Sequence, residues 1–130
     1  TFQIFVWHKT TPTNSVYKNS FLNSCELVIC LWNKGHTWNF TTQSQMHNFF
    51  ECPSCTYPEK LSSPKHPTQK PLILIEHLLK IASNPNDVVF DPFMGVATTG
   101  EAALKNNRRF IGTDTNETYI KGSLKRLSKY

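Results

Sequence analysis

A chain of 130 residues, 38% hydrophobic and 12% aromatic, is enough for one globular domain, or part of one, with its own core. No run approaches the roughly 20 apolar residues of a membrane span, and no charged-then-apolar secretory pattern appears at the start of these residues. A net charge of +5 permits contact with a polyanion but does not require it.

Residues 1–9 read as a strand, with Phe2, Ile4 and Val6 on one parity and Phe5 and Trp7 on the other. Apolar side chains on both parities predict a strand buried on both faces. The chain enters this strand at once and without a Met, so it reads as a fragment whose upstream part is missing or was removed. Residues 10–20, rich in Thr, Asn, Ser and Pro, form a loop, and residues 25–32 a second buried strand closed by the turn Asn33-Lys34-Gly35. Residues 36–57 are polar and aromatic with no stable period; Trp38, Phe49 and Phe50 are read as core rather than as base-stacking residues. The four cysteines, Cys25, Cys30, Cys52 and Cys55, suggest free thiols in a reducing compartment. Cys52 and Cys55 have a zinc-knuckle spacing, but no second pair follows, so no metal is expected.

Residues 60–70 are a proline-punctuated loop. A helix is predicted from Pro71 to Ala82, with Leu72, Ile75, Leu79 and Ala82 on one stripe and Thr68 or Gln69 near its cap. Asn84-Pro85-Asn86-Asp87 ends it. A strand follows and ends at Asp91, then a sharp turn through Pro92 and Gly95, a helix, a strand from Arg109 to Thr113 ending in Asp114, and a last helix from about Glu117. Lys60, Lys65 and Lys70 share one loop and Lys121, Lys125, Arg126 and Lys129 one tail, a distribution equally compatible with an ordinary solvated surface.

The strand–turn–helix–strand unit carries the chemistry. Open α/β sheets bind ligands at the carboxyl ends of their strands, and an acid in the first loop followed by another about twenty residues later is the layout of a nucleoside site. Gly95 has no side chain and lets backbone approach a ligand closely. Asp114 offers an acceptor-only carboxylate suited to a ribose diol. The dinucleotide pattern G-x-G-x-x-G is absent, so a small nucleoside is expected rather than a pyrophosphate.

Three pieces then occur in order: His66-Pro67-Thr68-Gln69-Lys70-Pro71, Asp91-Pro92-Phe93-Met94-Gly95-Val96-Ala97-Thr98-Thr99, and Phe110-Ile111-Gly112-Thr113-Asp114 with Tyr119 after it. Together they resemble the carboxyl-terminal part of the DNA amino-methyltransferases that modify adenine N6 or cytosine N4, in the permuted group where the cofactor loop follows the catalytic half. Trp7-His8-Lys9 and Glu26-Leu27-Val28-Ile29 fit the same family more weakly. The resemblance implies an α/β, Rossmann-like, S-adenosylmethionine-dependent methyltransferase fold, here incomplete. Residues 1–40 would end the catalytic half, 41–63 would be a short target-recognition insert, and 64–130 the cofactor-binding half. It also implies S-adenosylmethionine as cofactor, with Asp91, Pro92, Phe93, Gly95 and Thr98 in its contact loop. Asp114 would be the ribose acid, and His66, Thr68 and Lys70 would lie at the methionine end. Double-stranded DNA is the implied substrate, adenine N6 ahead of cytosine N4. The DNA contacts would come from Lys9, Lys18, Lys34, Lys60 and Lys65. The setting would be a restriction–modification or phage system in the cytoplasm of a bacterial or phage-infected cell, with no membrane contact.

The sequence departs from the family in two places. Gly95-Val96-Ala97 stands where Gly-Ser-Gly is usual; if Ala97 needs a positive φ, alanine is disfavoured there. The family's Asp/Asn/Ser-Pro-Pro-aromatic tetrapeptide, which grips the flipped base, is absent, so no catalytic residue is assigned in this chain. Its strand would lie between the strand ending at Asp91 and that of Phe2 to Val6, leaving two unpartnered strand edges and a chain expected to be unstable alone or to associate with itself or a complementing upstream polypeptide. The other reading is an inactive or split remnant that only binds cofactor, DNA or a partner.

Overall fold

The computed structural model describes residues 1–14 and 17–130. It divides into two compact units, Thr1–Ser54 and Cys55–Tyr130.

The first unit is a three-stranded sheet of order β2-β1-β3. Strand β1 (Phe2–Lys9) pairs antiparallel with β2 (Cys25–Leu31) and parallel with β3 (Phe49–Cys52). Phe5 and Trp7 point to the buried face, where the Trp7 indole N–H donates to the Cys52 carbonyl at 3.2 Å. The opposite parity is not covered within this unit. Phe2, Ile4, Leu27, Ile29 and Leu31 are exposed, and the register pairs Phe2 with Leu31 and Ile4 with Ile29 on one face. The expected burial on both faces is therefore corrected to one face, since Phe5 and Trp7 are buried while the apolar side chains of the other parity stay largely exposed. The edge of β1 expected to lack a partner is also occupied, from Val6 to Lys9, by β3. Trp38 packs edge-on against Trp32 at 5.2 Å and His36 at 5.1 Å.

The second unit carries α1 (Leu72–Ala82), β4 (Val88–Asp91), α2 (Thr98–Lys105), β5 (Arg109–Gly112) and α3 (Glu117–Leu127), with β4 and β5 parallel. Its core gathers Leu79, Ala102 and Ala103, with Leu72, Ile75, Val89 and Phe110 packed around them, so Leu72, Ile75 and Leu79 of the predicted α1 stripe face inward while Ala82, at the helix end, is exposed. Helix α2 lies close on β5 because Gly100 has no side chain; a Cβ there would stand 2.6 Å from the Phe110 ring. The start of α1 differs from expectation. Neither Thr68 nor Gln69 caps it; the Leu72 N–H donates to the Glu59 carboxylate at 2.6 Å, and Pro71 occupies the cap position. Gln69 instead ties down the preceding loop, donating to the Glu59 carbonyl at 3.1 Å and to Cys55 Sγ at 3.2 Å while accepting from the Leu61 N–H at 3.1 Å. Asn116 caps α3 by accepting from the N–H groups of Thr118 and Tyr119.

Candidate functional site

The turn after β4 is stitched to the end of β5. The Asp91 carbonyl accepts from the Thr113 N–H at 3.0 Å, the Thr113 carbonyl accepts from the Met94 N–H at 3.0 Å, and the Thr113 hydroxyl donates to the Pro92 carbonyl at 2.8 Å. The Asp91 carboxylate accepts from the Phe93 N–H at 3.0 Å, which fixes the first step of the turn. Gly95 then takes a left-handed conformation, φ 53°. Its N–H donates to Asp114 Oδ2 at 2.9 Å, while Asn116 N–H donates to Oδ1 at 2.8 Å. Each carboxylate oxygen keeps further acceptor capacity, so the half-buried Asp114 can hold the loop and still accept from a ligand. Phe93 stands 88% exposed beside it.

His66 completes this corner. A Cβ on Gly95 would lie 2.8 Å from its Nε2, and its ring meets Tyr119 at 4.7 Å between centroids. Burial pulls the imidazole below its usual pKa, against the opposing pull of Asp114 and helped by Lys70 and Lys60, which favours the neutral ring. Its Nδ1 is buried and has no hydrogen-bond partner among the described residues. An open cleft of about 560 Å³ leads from His66 past Tyr57, Lys60, Ser62 and Lys65. The structure thus brings His66, Asp91, Gly95 and Asp114 together, with Pro92 and Phe93 exposed at the rim. Thr68 is exposed, Lys70 half-buried and Thr98 buried at the start of α2.

The underside of the turn meets the condition raised for Ala97 and adds, in Ser123 and Glu101, groups whose role the sequence did not suggest. Ala97 has φ 56° and ψ 47°, the left-handed region that disfavours alanine, and is fully buried. The Ser123 hydroxyl donates to the Gly95 carbonyl at 2.9 Å. Arg126, 7% exposed, donates to the Val96 carbonyl at 3.1 Å, to Thr98 Oγ1 at 3.2 Å and to the Glu101 carboxylate. Glu101 also accepts from Lys129 at 2.7 Å and from the Tyr130 hydroxyl at 2.9 Å. Reading Arg126 as part of a solvated basic tail is therefore corrected. Tyr119, Ser123 and Arg126 fall at i, i+4 and i+7, one helical face, and that spacing was the available signal. Burial alone would raise the Glu101 pKa, but hydrogen bonds from Lys129 and Arg126 and the charge of Arg126 outweigh it, so the carboxyl sits below its ordinary 4.5. A depressed carboxyl stabilises the fold above the unfolded value and loses that contribution as pH falls through the folded one. Acid titration of thermal stability is expected to show a loss beginning near pH 4.5 and deepening below it, and Glu101→Gln is expected to flatten that limb.

The five candidate DNA lysines differ in how they are engaged. Lys9 pairs with Glu26 at 3.0 Å, donates to the Asn23 carbonyl at 3.2 Å and lies over the Trp7 ring, so its charge is spent inside the first unit. Lys18 and Lys34 are exposed in that unit, and Lys60 and Lys65 border the cleft of the second. Cys55 is buried with its thiol pushed up to about 11, by burial first and by Glu59 next, which makes it an unreactive thiol. Among the described residues there is no cluster of three or more His, Cys, Asp or Glu able to hold a metal, and no helix long and apolar enough to cross a membrane.

Comparison with known proteins gives the context of this crevice. A family model described as DNA methylase, of the N6/N4 type, matches residues 2–125. The chain is 31% identical over 134 residues to the type II methyltransferase M2.LlaDCHI of Lactococcus lactis subsp. cremoris, covering 95% of this chain and 49% of that protein. It is 38% identical over 93 residues to the DNA adenine methyltransferase YhdJ of Escherichia coli strain K12, covering 72% of this chain and 27% of that one. Its fold superposes on the crystal structure of the M1.HpyAVI–SAM complex with a TM-score of 0.79 and 32% identity, over 98% of this chain and 63% of the other. The α/β fold is thus that of the methyltransferases, although the chain spans about half the length of M2.LlaDCHI. With nearly its whole length matched and the turn, strand ends and acids in the expected order, this chain belongs to the N6-adenine/N4-cytosine DNA methylase family.

Proposed function

We propose that this chain forms the cofactor-binding part of a DNA methyltransferase that moves a methyl group from S-adenosylmethionine to an exocyclic amino group in double-stranded DNA, adenine N6 in preference to cytosine N4. The observation that carries the reading is the bond from Gly95 N–H to Asp114, which joins the ends of β4 and β5 into one concave turn. The 38% identity to an adenine methyltransferase supports the choice of base.

The residues fit such a cofactor. Gly95, itself buried, lets the His66 ring pack directly on the turn, Asp114 retains acceptor capacity for a ribose diol, and the buried Nδ1 of His66 is an orphaned hydrogen-bonding atom. When bound, S-adenosylmethionine supplies an electrophilic methyl group on a sulfonium. Asp114 would accept from the two ribose hydroxyls, and Asp91 would hold the turn through the Phe93 N–H. Pro92, Phe93, Gly95 and Thr98 would line the nucleoside, while Lys70 would offer a cation to the methionine carboxylate beside His66 and Thr68. Burial, which holds the His66 imidazole below its usual pKa, would keep positive charge away from a bound sulfonium. Exposed Lys18 and Lys34, with Lys60 and Lys65 at the cleft, would meet DNA phosphates; Lys9 is the weakest of the set because Glu26 already holds it. Residues 41–63 would form a shortened target-recognition segment between the two functional stretches, and the setting would be the cytoplasm of a bacterial or phage-infected cell.

The Pro-Pro-aromatic tetrapeptide that would grip the base is absent from these 130 residues. Activity on this reading needs that element from further polypeptide, and the exposed apolar face of Ile4, Leu27, Ile29 and Leu31 supports association. The left-handed Ala97 favours the second reading, a remnant that binds without transferring. Methyl transfer to duplex DNA with labelled cofactor separates them. The 130 residues alone are expected to transfer nothing measurable, and a polypeptide carrying the tetrapeptide strand is expected to restore transfer; cofactor binding with no transfer in either arm would favour the remnant.

A further inference from the structure

We propose that Ser123 and Arg126 are positioning residues that hold the Gly95–Val96–Ala97 backbone in its left-handed bend, so that the last helix sets the shape of the cofactor crevice from behind. The inference rests on the cofactor reading above and adds to it the groups that make the turn rigid.

Two successive carbonyls of the turn, those of Gly95 and Val96, both accept from α3, one from the Ser123 hydroxyl and one from Arg126. The N–H of Ala97 donates to the Met94 carbonyl at 2.7 Å, and the Ala97 carbonyl accepts from the Glu101 N–H at 3.0 Å as α2 begins. The peptide plane before Ala97 is thus held at both its oxygen and its nitrogen, and the plane after it is held by the helix. Between two fixed planes Ala97 has no freedom to leave φ 56°, a conformation that a non-glycine residue keeps only when its surroundings over-determine it. The cheap escape is a flip of the Val96–Ala97 peptide, and the Arg126 contact to the Val96 carbonyl opposes it. The donors are themselves fixed. Ser123 is 1% exposed, and Arg126 is anchored by Glu101, which Lys129 and Tyr130 hold in turn. On the other side the Gly95 N–H is held by Asp114. One strained turn is therefore gripped by the ribose acid in front and by α3 behind.

The test uses variants of the full chain, with S-adenosylmethionine affinity measured by calorimetry and amide hydrogen exchange followed at position 97. Arg126→Lys keeps a charge for Glu101 but loses the planar fork that reaches Val96 and Thr98 at the same time. It is expected to weaken cofactor binding about 10-fold and to speed exchange at position 97 by a similar factor. Ser123→Ala, which leaves the Arg126–Glu101 pair intact, is expected to weaken binding about 3- to 5-fold and serves if Arg126→Lys folds poorly. Glycine takes the left-handed conformation without strain, so adding Ala97→Gly to Arg126→Lys is expected to restore both affinity and slow exchange. A purely structural role for Arg126 would lower thermal stability in both backgrounds and leave affinity unrescued. Wild-type affinity and exchange in Arg126→Lys and Ser123→Ala, or failure of Ala97→Gly to rescue, would overturn the inference. If the wild-type chain itself bound no cofactor, the proposed function would fall, and position 97 exchange alone would decide whether α3 holds the turn.

Discussion

Asp114→Ala is expected to weaken S-adenosylmethionine binding by about 100-fold or more, because two charge-assisted hydrogen bonds to a ribose diol are worth roughly 1.5–3 kcal/mol each. The same substitution also removes the acceptor of the Gly95 and Asn116 N–H groups, so the turn loosens as well as losing its ligand contact. Asp114→Asn separates the two effects. It keeps one carbonyl acceptor of the same shape and is expected to fall between wild type and the alanine variant, at a loss of about 10-fold. Titration calorimetry of the three proteins, with thermal unfolding as the stability control, checks the order. Equal affinity in all three would remove Asp114 from the site.

Gly95→Val is expected to cost about 2–4 kcal/mol of stability and to abolish cofactor binding. Two physical effects add. A β-branched residue at φ 53° is strained by backbone sterics alone. Its Cβ would also stand 2.8 Å from His66 Nε2, and the His66 ring is backed by Tyr119 and cannot retreat freely. Chemical denaturation reads the first effect and calorimetry the second. A valine variant as stable as wild type would mean that the turn is not shaped as described.

The order of the second unit was legible because its signals are local. Asp91, Gly95 and Asp114 mark the ends of two strands and the turn between them, and the stripe of Leu72, Ile75 and Leu79 is a property of eleven adjacent residues in α1. What the sequence hid depends on distant partners. Phe49–Cys52 has no pattern of its own and becomes a strand by pairing with Val6–Lys9, far away in the chain. The start of α1 is satisfied by Glu59 from the preceding loop, a contact that no capping rule for adjacent residues anticipates. Arg126 looked like one of several tail cations, and its burial follows from a carboxylate on another helix. Residues 1–9 and 25–32 were legible as strands from their hydrophobicity, but neither their antiparallel pairing nor the face that would be covered was, since both parities are apolar.

Ala97 joins the two kinds of reading. Its substitution for a usually bare residue was visible in the sequence, and its cost became definite only with φ 56°. A left-handed alanine costs about 1–2 kcal/mol, comparable to a single hydrogen bond, so the contacts from Ser123 and Arg126 are of the size needed to offset it.

Backbone amide NMR of the full chain during titration with S-adenosylmethionine tests the central claim most directly, since the nucleoside is held to lie where the carboxyl ends of β4 and β5 meet. The largest shift changes are expected at Gly95, Asp114 and Asn116, whose amides or carboxylate form that corner. Saturable binding that leaves those three resonances unmoved, or no binding at all, would contradict the account.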